Sequence, residues 1–247
     1  LSVSGSALNN YDVTYQNGSL SIGKATLTVT GATTSRTYNG NLQTNTYTLD
    51  GLKGSDTVTR VDGLASGTDY RAVAYADNLS NAQGTGLSNY TITYQNGSLS
   101  IGKASLTVTG AHNVVTYNGA LQTNSGASYS GNQGSDSFTI TGYATGTEYR
   151  STAYADQLSV FGNAINNYNV TYQNGSLSIG KASLTVTGAH NVVTYNGNLQ
   201  RNTFTVDGLK GSDVVTSVDG LASGTDYRAV AYADNLSNAQ GTGLSNY

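Results

Sequence analysis

The chain is 247 residues long, has a formal net charge of −3 and charged side chains at only 10% of positions, with 31 glycines and no cysteine, proline, methionine or tryptophan. That balance supplies no basic stripe for a nucleic-acid footprint, no thiol for disulfides, redox chemistry or thiolate metal sites, and no apolar run long enough to span a membrane as a helix. With 37% hydrophobic residues and many β-formers, it is not the composition of a disordered chain either.

Residues 1–24 align with the tail of the repeats that follow, most closely with residues 158–181. The stretch from Tyr15 to Gly31 then returns from Tyr94 to Gly110 and from Tyr172 to Gly188. Its lysines, Lys24, Lys103 and Lys181, set a period of 79 and then 78 residues, the mark of one structural unit repeated in an array. The expected organisation is a B-type tail over 1–24, repeat A over 25–103, repeat B over 104–181, and a second A over 182–247 that stops before its last hairpin. The start within a repeat and the absence of Met at position 1 give the expectation that the chain is a piece of a longer one.

Within a unit, Leu-Thr-Val-Thr (27–30, 106–109, 184–187) alternates branched apolar residues with threonine and predicts a strand. Asn39-Gly40, Asn118-Gly119 and Asn196-Gly197 predict turns. Residues 51–56 admit a single helical turn, their glycines ruling out a long helix. Residues 70–77 are Ala-rich and admit a helix; the favoured reading is a strand with Tyr70, Ala72, Ala74 and Ala76 on one face and Arg71, Val73, Tyr75 and Asp77 on the other. Residues 89–101 read as a hairpin, with Asn96-Gly97 suited to a type I′ turn, and Asn17-Gly18 and Asn174-Gly175 repeat that signal. Only Gly-Lys-Ala-Ser (102–105) separates successive units, too little for free tumbling, so the array is expected to form a semi-stiff rod. The fold class is therefore mostly β, or α+β should the one short helical turn per unit form: a tandem array of small β-rich domains in an elongated rod.

No catalytic constellation is present. His112 and His190 recur, but Thr33 stands at that place in the first unit, so no role required of every unit rests on them. Serine occurs without a nucleophile elbow, and Gly84-Thr-Gly86 lacks a phosphate-binding context. No EF-hand loop occurs; Ca²⁺ held by Gly-Ser-Asp turns against a neighbouring domain is the one metal alternative, beside ordinary Asx-turn chemistry. Arg71, Tyr75 and Asp77, with their copies Arg150, Tyr154, Asp156 and Arg228, Tyr232, Asp234, are the candidate ligand contacts. They admit a saccharide site, with the ring stacked on sugar and the charges on hydroxyls, or a cross-strand ion pair packed beneath tyrosine.

Lys-Ala-Ser-Leu-Thr-Val-Thr-Gly (103–110), Thr-Tyr-Asn-Gly (116–119) and Leu-Ser-Asn-Tyr-Thr-Ile-Thr-Tyr-Gln-Asn-Gly-Ser-Leu-Ser-Ile (87–101) together resemble the MBG/YDG-type repeats of large, filamentous-haemagglutinin-like bacterial adhesins. Residues 65–70 resemble a shortened form of that family's Gly-Thr-x-x-Gly-Thr-Tyr segment, without its second Gly-Thr. The resemblance covers essentially the whole chain. It implies β-rich domains strung along a secreted or surface-anchored fibre of a Gram-negative bacterium, with no catalytic residues and no cofactor. The function it implies is a stalk or spacer that extends a binding tip and has neighbouring repeats as its partners. The alternative is that the repeats themselves bind glycan, host matrix or sister molecules by avidity.

Overall fold

Alternation of apolar residues with threonine does produce strands, and their parity decides what is buried. In the computed structural model, which describes residues 1–247, the chain divides into two compact units, Leu1–Gly102 and Lys103–Tyr247. The first repeat folds within the first unit. Its strands are β1 (Ala25–Gly31), β2 (Thr33–Thr37), β3 (Gln43–Thr44), β4 (Tyr47–Asp50), β5 (Thr57–Asp62), β6 (Ser66–Gly67), β7 (Tyr75–Ala76), β8 (Ser80–Thr85), β9 (Tyr90–Gln95) and β10 (Ser98–Gly102). Leu27 and Val29 of β1 and Leu99 and Ile101 of β10 are almost wholly buried, while the threonines and serines between them face outward or sit half-buried. Burying one such side chain stabilises the fold by about 1.5–3 kcal/mol.

Four small sheets form the repeat. β1 lies between β4, antiparallel, and β9, parallel, with Leu27 opposite Ile92 and Val29 opposite Tyr94. β10 lies between β2, parallel, and β7, antiparallel, with Leu99 opposite Thr34 and Tyr75. β3 pairs with β6, and β5 with β8. The parallel pairs join the start of the repeat to its end. Every pairing in the chain stays within one repeat.

Three local expectations are corrected. Residues 89–101 are not a hairpin: β9 and β10 belong to different sheets, and neither Asn96 nor Gly97 takes a positive φ. The link is an arch between sheets. Asn96 Oδ1 accepts from the Leu79 N–H at 2.8 Å, and the Gly97 N–H donates to Asp77 at 3.0 Å. Glycine is needed at 97 for close approach, since a Cβ there would lie 2.1 Å from the Ala32 carbonyl oxygen. Residues 51–56 hold a turn closed by the Asp56 N–H on the Lys53 carbonyl; the single helical turns are 3₁₀ and lie elsewhere, at Leu8–Asn10, Leu87–Asn89, Ile165–Asn167 and Leu244–Asn246. Of residues 70–77 only Tyr75–Ala76 is strand. The Asn-Gly turns at 39–40, 118–119 and 196–197 do form, with positive φ at the glycine and an Asx bond from two residues on.

The second unit holds the second and third repeats. The second repeats the plan of the first, with parallel pairs joining Ala104–Thr109 to Tyr168–Gln173 and His112–Thr116 to Ser176–Gly180. The third has the antiparallel pairs only. Tyr247, its last residue, takes the place of Tyr90 and Tyr168, so nothing in its sequence corresponds to the rest of β9 or to β10. Residues 190–194, the copy of β2, accordingly have no strand structure. Residues 12–24, at the other end of the chain, are likewise without secondary structure and exposed.

Candidate functional site

Each candidate trio separates into two structures. Asp77 points inward and is only 4% exposed. Its carboxylate accepts from the backbone N–H of Ala65 at 2.7 Å and of Gly97 at 3.0 Å, and from the Asn45 side-chain amide at 2.9 Å. Asn45 in turn donates to the Ala32 carbonyl at 2.7 Å. A buried carboxylate without a cation is tolerated when N–H donors surround it. The group ties four segments of the repeat together. Gly31 leaves room for it, since a Cβ there would lie 2.0 Å from an Asp77 oxygen. Asp156 repeats the arrangement with Ala144, Gly175 and Asn124, and Asp234 repeats part of it, with Ala222 and Asn202. The Ala222 N–H and then the Asn202 amide hold the Asp234 carboxyl below its ordinary value.

The cross-strand ion pair does not form. Arg71 lies over the ring of Tyr75, 4.7 Å from its centroid, and Arg150 and Arg228 lie over Tyr154 and Tyr232 at the same distance. The Tyr75 ring also rests on Gly67, where a Cβ would be 2.3 Å from the ring, and its hydroxyl donates to the Asp69 carbonyl at 3.0 Å. The carboxylate is thus in the core and the guanidinium outside, so the three groups do not converge on a common ligand. Sequence reasoning missed Asn45, Asn124 and Asn202. The signal was available, for each stands 32 residues before its aspartate.

The aspartates of the Gly-Ser-Asp turns accept tyrosine hydroxyls: Asp56 from Tyr90 at 2.8 Å, Asp136 from Tyr168 at 2.6 Å, and Asp213 from Tyr247 at 3.0 Å. No group of three or more His, Asp or Glu stands close enough to share a metal ion. His112 is exposed and bonds to the Ser176 hydroxyl at 2.8 Å.

Where the second repeat meets the third, the contacts are dense. Tyr117, a strand-end residue of the second repeat and 6% exposed, donates to Asp213 at 2.7 Å and meets the Tyr247 ring edge-on at 5.7 Å. The buried Asn246 accepts the Tyr149 N–H at 2.9 Å, and its carbonyl accepts the Ala182 N–H at 2.8 Å. Lys181 donates to the Tyr247 carbonyl at 2.7 Å and lies over the Tyr149 ring. Gly119 and Gly211 touch so closely that a Cβ on Gly119 would lie 2.4 Å from the Gly211 nitrogen. One hydrophobic cluster, Tyr117, Ala144, Leu177, Ile179 and Ala182 with Tyr247 against it, runs through the junction. The Asp213 carboxylate, foremost, and burial push the Tyr117 hydroxyl up to about 12. Burial raises Tyr247, partly opposed by the Lys210 N–H.

Comparison with models of known families, with curated proteins and with solved structures gave no match to this chain. The architecture is mostly β, built of small sheets without a barrel.

Proposed function

We propose that the chain is a run of spacer repeats from the stalk of a secreted or surface-anchored bacterial adhesin, holding a binding tip away from the cell. The observation that carries this reading is the junction between the second and third repeats, where the buried Tyr117, the half-buried Tyr247, a shared aspartate and a buried asparagine replace a flexible linker. A spacer needs a fixed length per domain and joints that resist bending, and a packed, hydrogen-bonded joint supplies both. The candidate rings Tyr75, Tyr154 and Tyr232 are each covered by an arginine on one side and rest on a glycine.

Spin labels on the exposed Leu121→Cys and Leu199→Cys positions test this, the chain having no cysteine of its own. A narrow label-to-label distance distribution is expected. A broad one would remove the spacer reading.

One observation favours the second reading, weak binding multiplied over repeats. Leu42, Leu121 and Leu199 occupy the same place after the Asn-Gly turn and are 68%, 66% and 54% exposed. Loss of surface attachment on changing all three to serine, with the label distances unchanged, would favour it.

A further inference from the structure

We propose that Asn118-Gly119 is a self-modifying site whose product, isoaspartate, loosens the joint between the second and third repeats. Asn-Gly occurs twice in each complete repeat, and the fold gives the two copies opposite surroundings. In the arch, the side-chain oxygens of Asn96 and Asn174 are taken by the N–H groups of Leu79 at 2.8 Å and Leu158 at 3.2 Å. The Gly97 and Gly175 N–H groups donate to the carboxylates of Asp77 and Asp156, each at 3.0 Å. A nitrogen whose proton is held by a carboxylate resists losing it, so these pairs are locked.

The turn is built the other way. Asn118 is exposed, and its side-chain oxygen accepts the Ala120 N–H at 2.9 Å. That bond spans Gly119, so it folds the carboxamide back over the Gly119 nitrogen. The same N–H stabilises the oxygen as it gains charge during attack. Gly119 has φ +78° and no Cβ to hinder the approach. Asn39 and Asn196 accept the N–H groups of Asn41 and Asn198 in the same way, both at 3.0 Å. The chemistry needs water and no other reagent. The Gly119 nitrogen loses its proton to solvent and attacks the side-chain carbonyl carbon of Asn118. The bond from that carbon to the amide nitrogen breaks, and the departing nitrogen takes up a proton and leaves as ammonia. Water then opens the resulting succinimide at the side-chain carbonyl to give aspartate, or at the main-chain carbonyl to give isoaspartate. In isoaspartate the backbone runs through the former side chain.

The Asn118 turn sits in the joint. Tyr117, on one side, donates to Asp213 at 2.7 Å. Gly119, on the other, lies against Lys210 and Gly211: an added Cβ would be 2.4 Å from the Gly211 nitrogen and 2.9 Å from the Lys210 carbonyl carbon. Contacts with the third repeat therefore hold the chain on both sides of Asn118. Isoaspartate lengthens the main chain by one carbon, about 1.5 Å, and there is no slack between those contacts to take it up. Close packing turns a displacement of that size into lost contacts. The product also carries a carboxylate where a neutral amide stood, beside the turn that holds Asp213. The conversion is independent of the spacer reading, since it depends on the turn and not on what the array does.

Peptide mapping by mass spectrometry tests the site on the 247-residue chain held for weeks at mildly alkaline pH, with an isoaspartyl methyltransferase reporting isoaspartate. Asn118 is expected to convert at least about tenfold faster than Asn96 and Asn174. Spin labels at the exposed positions Val114→Cys and Val214→Cys read the joint. The aged chain is expected to give a broader distance distribution than the fresh one. Asn118→Ser keeps an oxygen for the Ala120 N–H but has no amide to lose. It should hold its fresh distribution through the same ageing, although Asn39 and Asn196 still convert. Conversion at Asn118 no faster than at Asn174 overturns the proposal. So does an aged chain whose distances match the fresh one, or an Asn118→Ser chain that broadens as much as the parent.

Discussion

Asp77 concentrates the polar chemistry of a repeat at one buried carboxylate, and what it holds is backbone. Replacing it by alanine leaves the N–H groups of Ala65 and Gly97 and the amide of Asn45 without their acceptor in a dry site. The Asp77→Ala substitution should therefore destabilise the first repeat by about 3 kcal/mol, read as a shifted transition in urea. Asp234→Ala should cost its repeat less, because Asp234 holds fewer groups and is half-exposed. Its carboxyl is nonetheless held below the ordinary value, so it binds its proton less readily folded than unfolded. That contribution is complete above about pH 4 and is lost as pH falls through the depressed folded value. NMR of the Ala222 and Asn202 amides during acid titration should show them released together at a pH below that of an ordinary aspartate. Release above pH 4 would contradict the assignment.

At the scale of elements, the arch between β9 and β10 gives two sharply different outcomes for one motif. Gly97→Ala drives a methyl into the Ala32 carbonyl and should cost about 2–4 kcal/mol. Gly18→Ala, in the same local sequence, meets nothing within 4 Å and should change monomer stability by less than about 0.5 kcal/mol. Thermal melts of the two variants decide the point. At the junction, the Tyr117 hydroxyl is raised to about 12, so it keeps its proton longer in the folded state than in the unfolded one. Its stabilising bond to Asp213 is fully present below about pH 10 and is lost as pH rises toward 12. Tyr117→Phe should remove a high-pH component from the tyrosinate absorbance titration and broaden the Leu121–Leu199 label distances.

The strands were legible because Leu27, Val29, Leu99 and Ile101 alternate with threonine and serine, and that parity alone decides which face is buried. Their partners were not legible. Asn96-Gly97 resembles a hairpin turn locally, but β9 and β10 each find a parallel partner near the start of the repeat, and alternation carries no information about a partner that far away. The 3₁₀ turn fell at Leu87–Asn89 rather than at 51–56 for a related reason, since the glycines in 51–56 serve a turn that fits against β1. Recurrence marked Asp77 as special. Its role needed Asn45, Gly31 and Gly97, which only the fold brings to it.

For the whole molecule, the account rests on the packed joint between the second and third repeats, not on any ligand. The measurement that tests it most directly is small-angle X-ray scattering of the 247-residue chain, with and without a calcium chelator. Stiff spacer repeats predict a long, thin particle whose scattering the chelator leaves unchanged. A compact globule, or a particle that becomes flexible when calcium is removed, would contradict it.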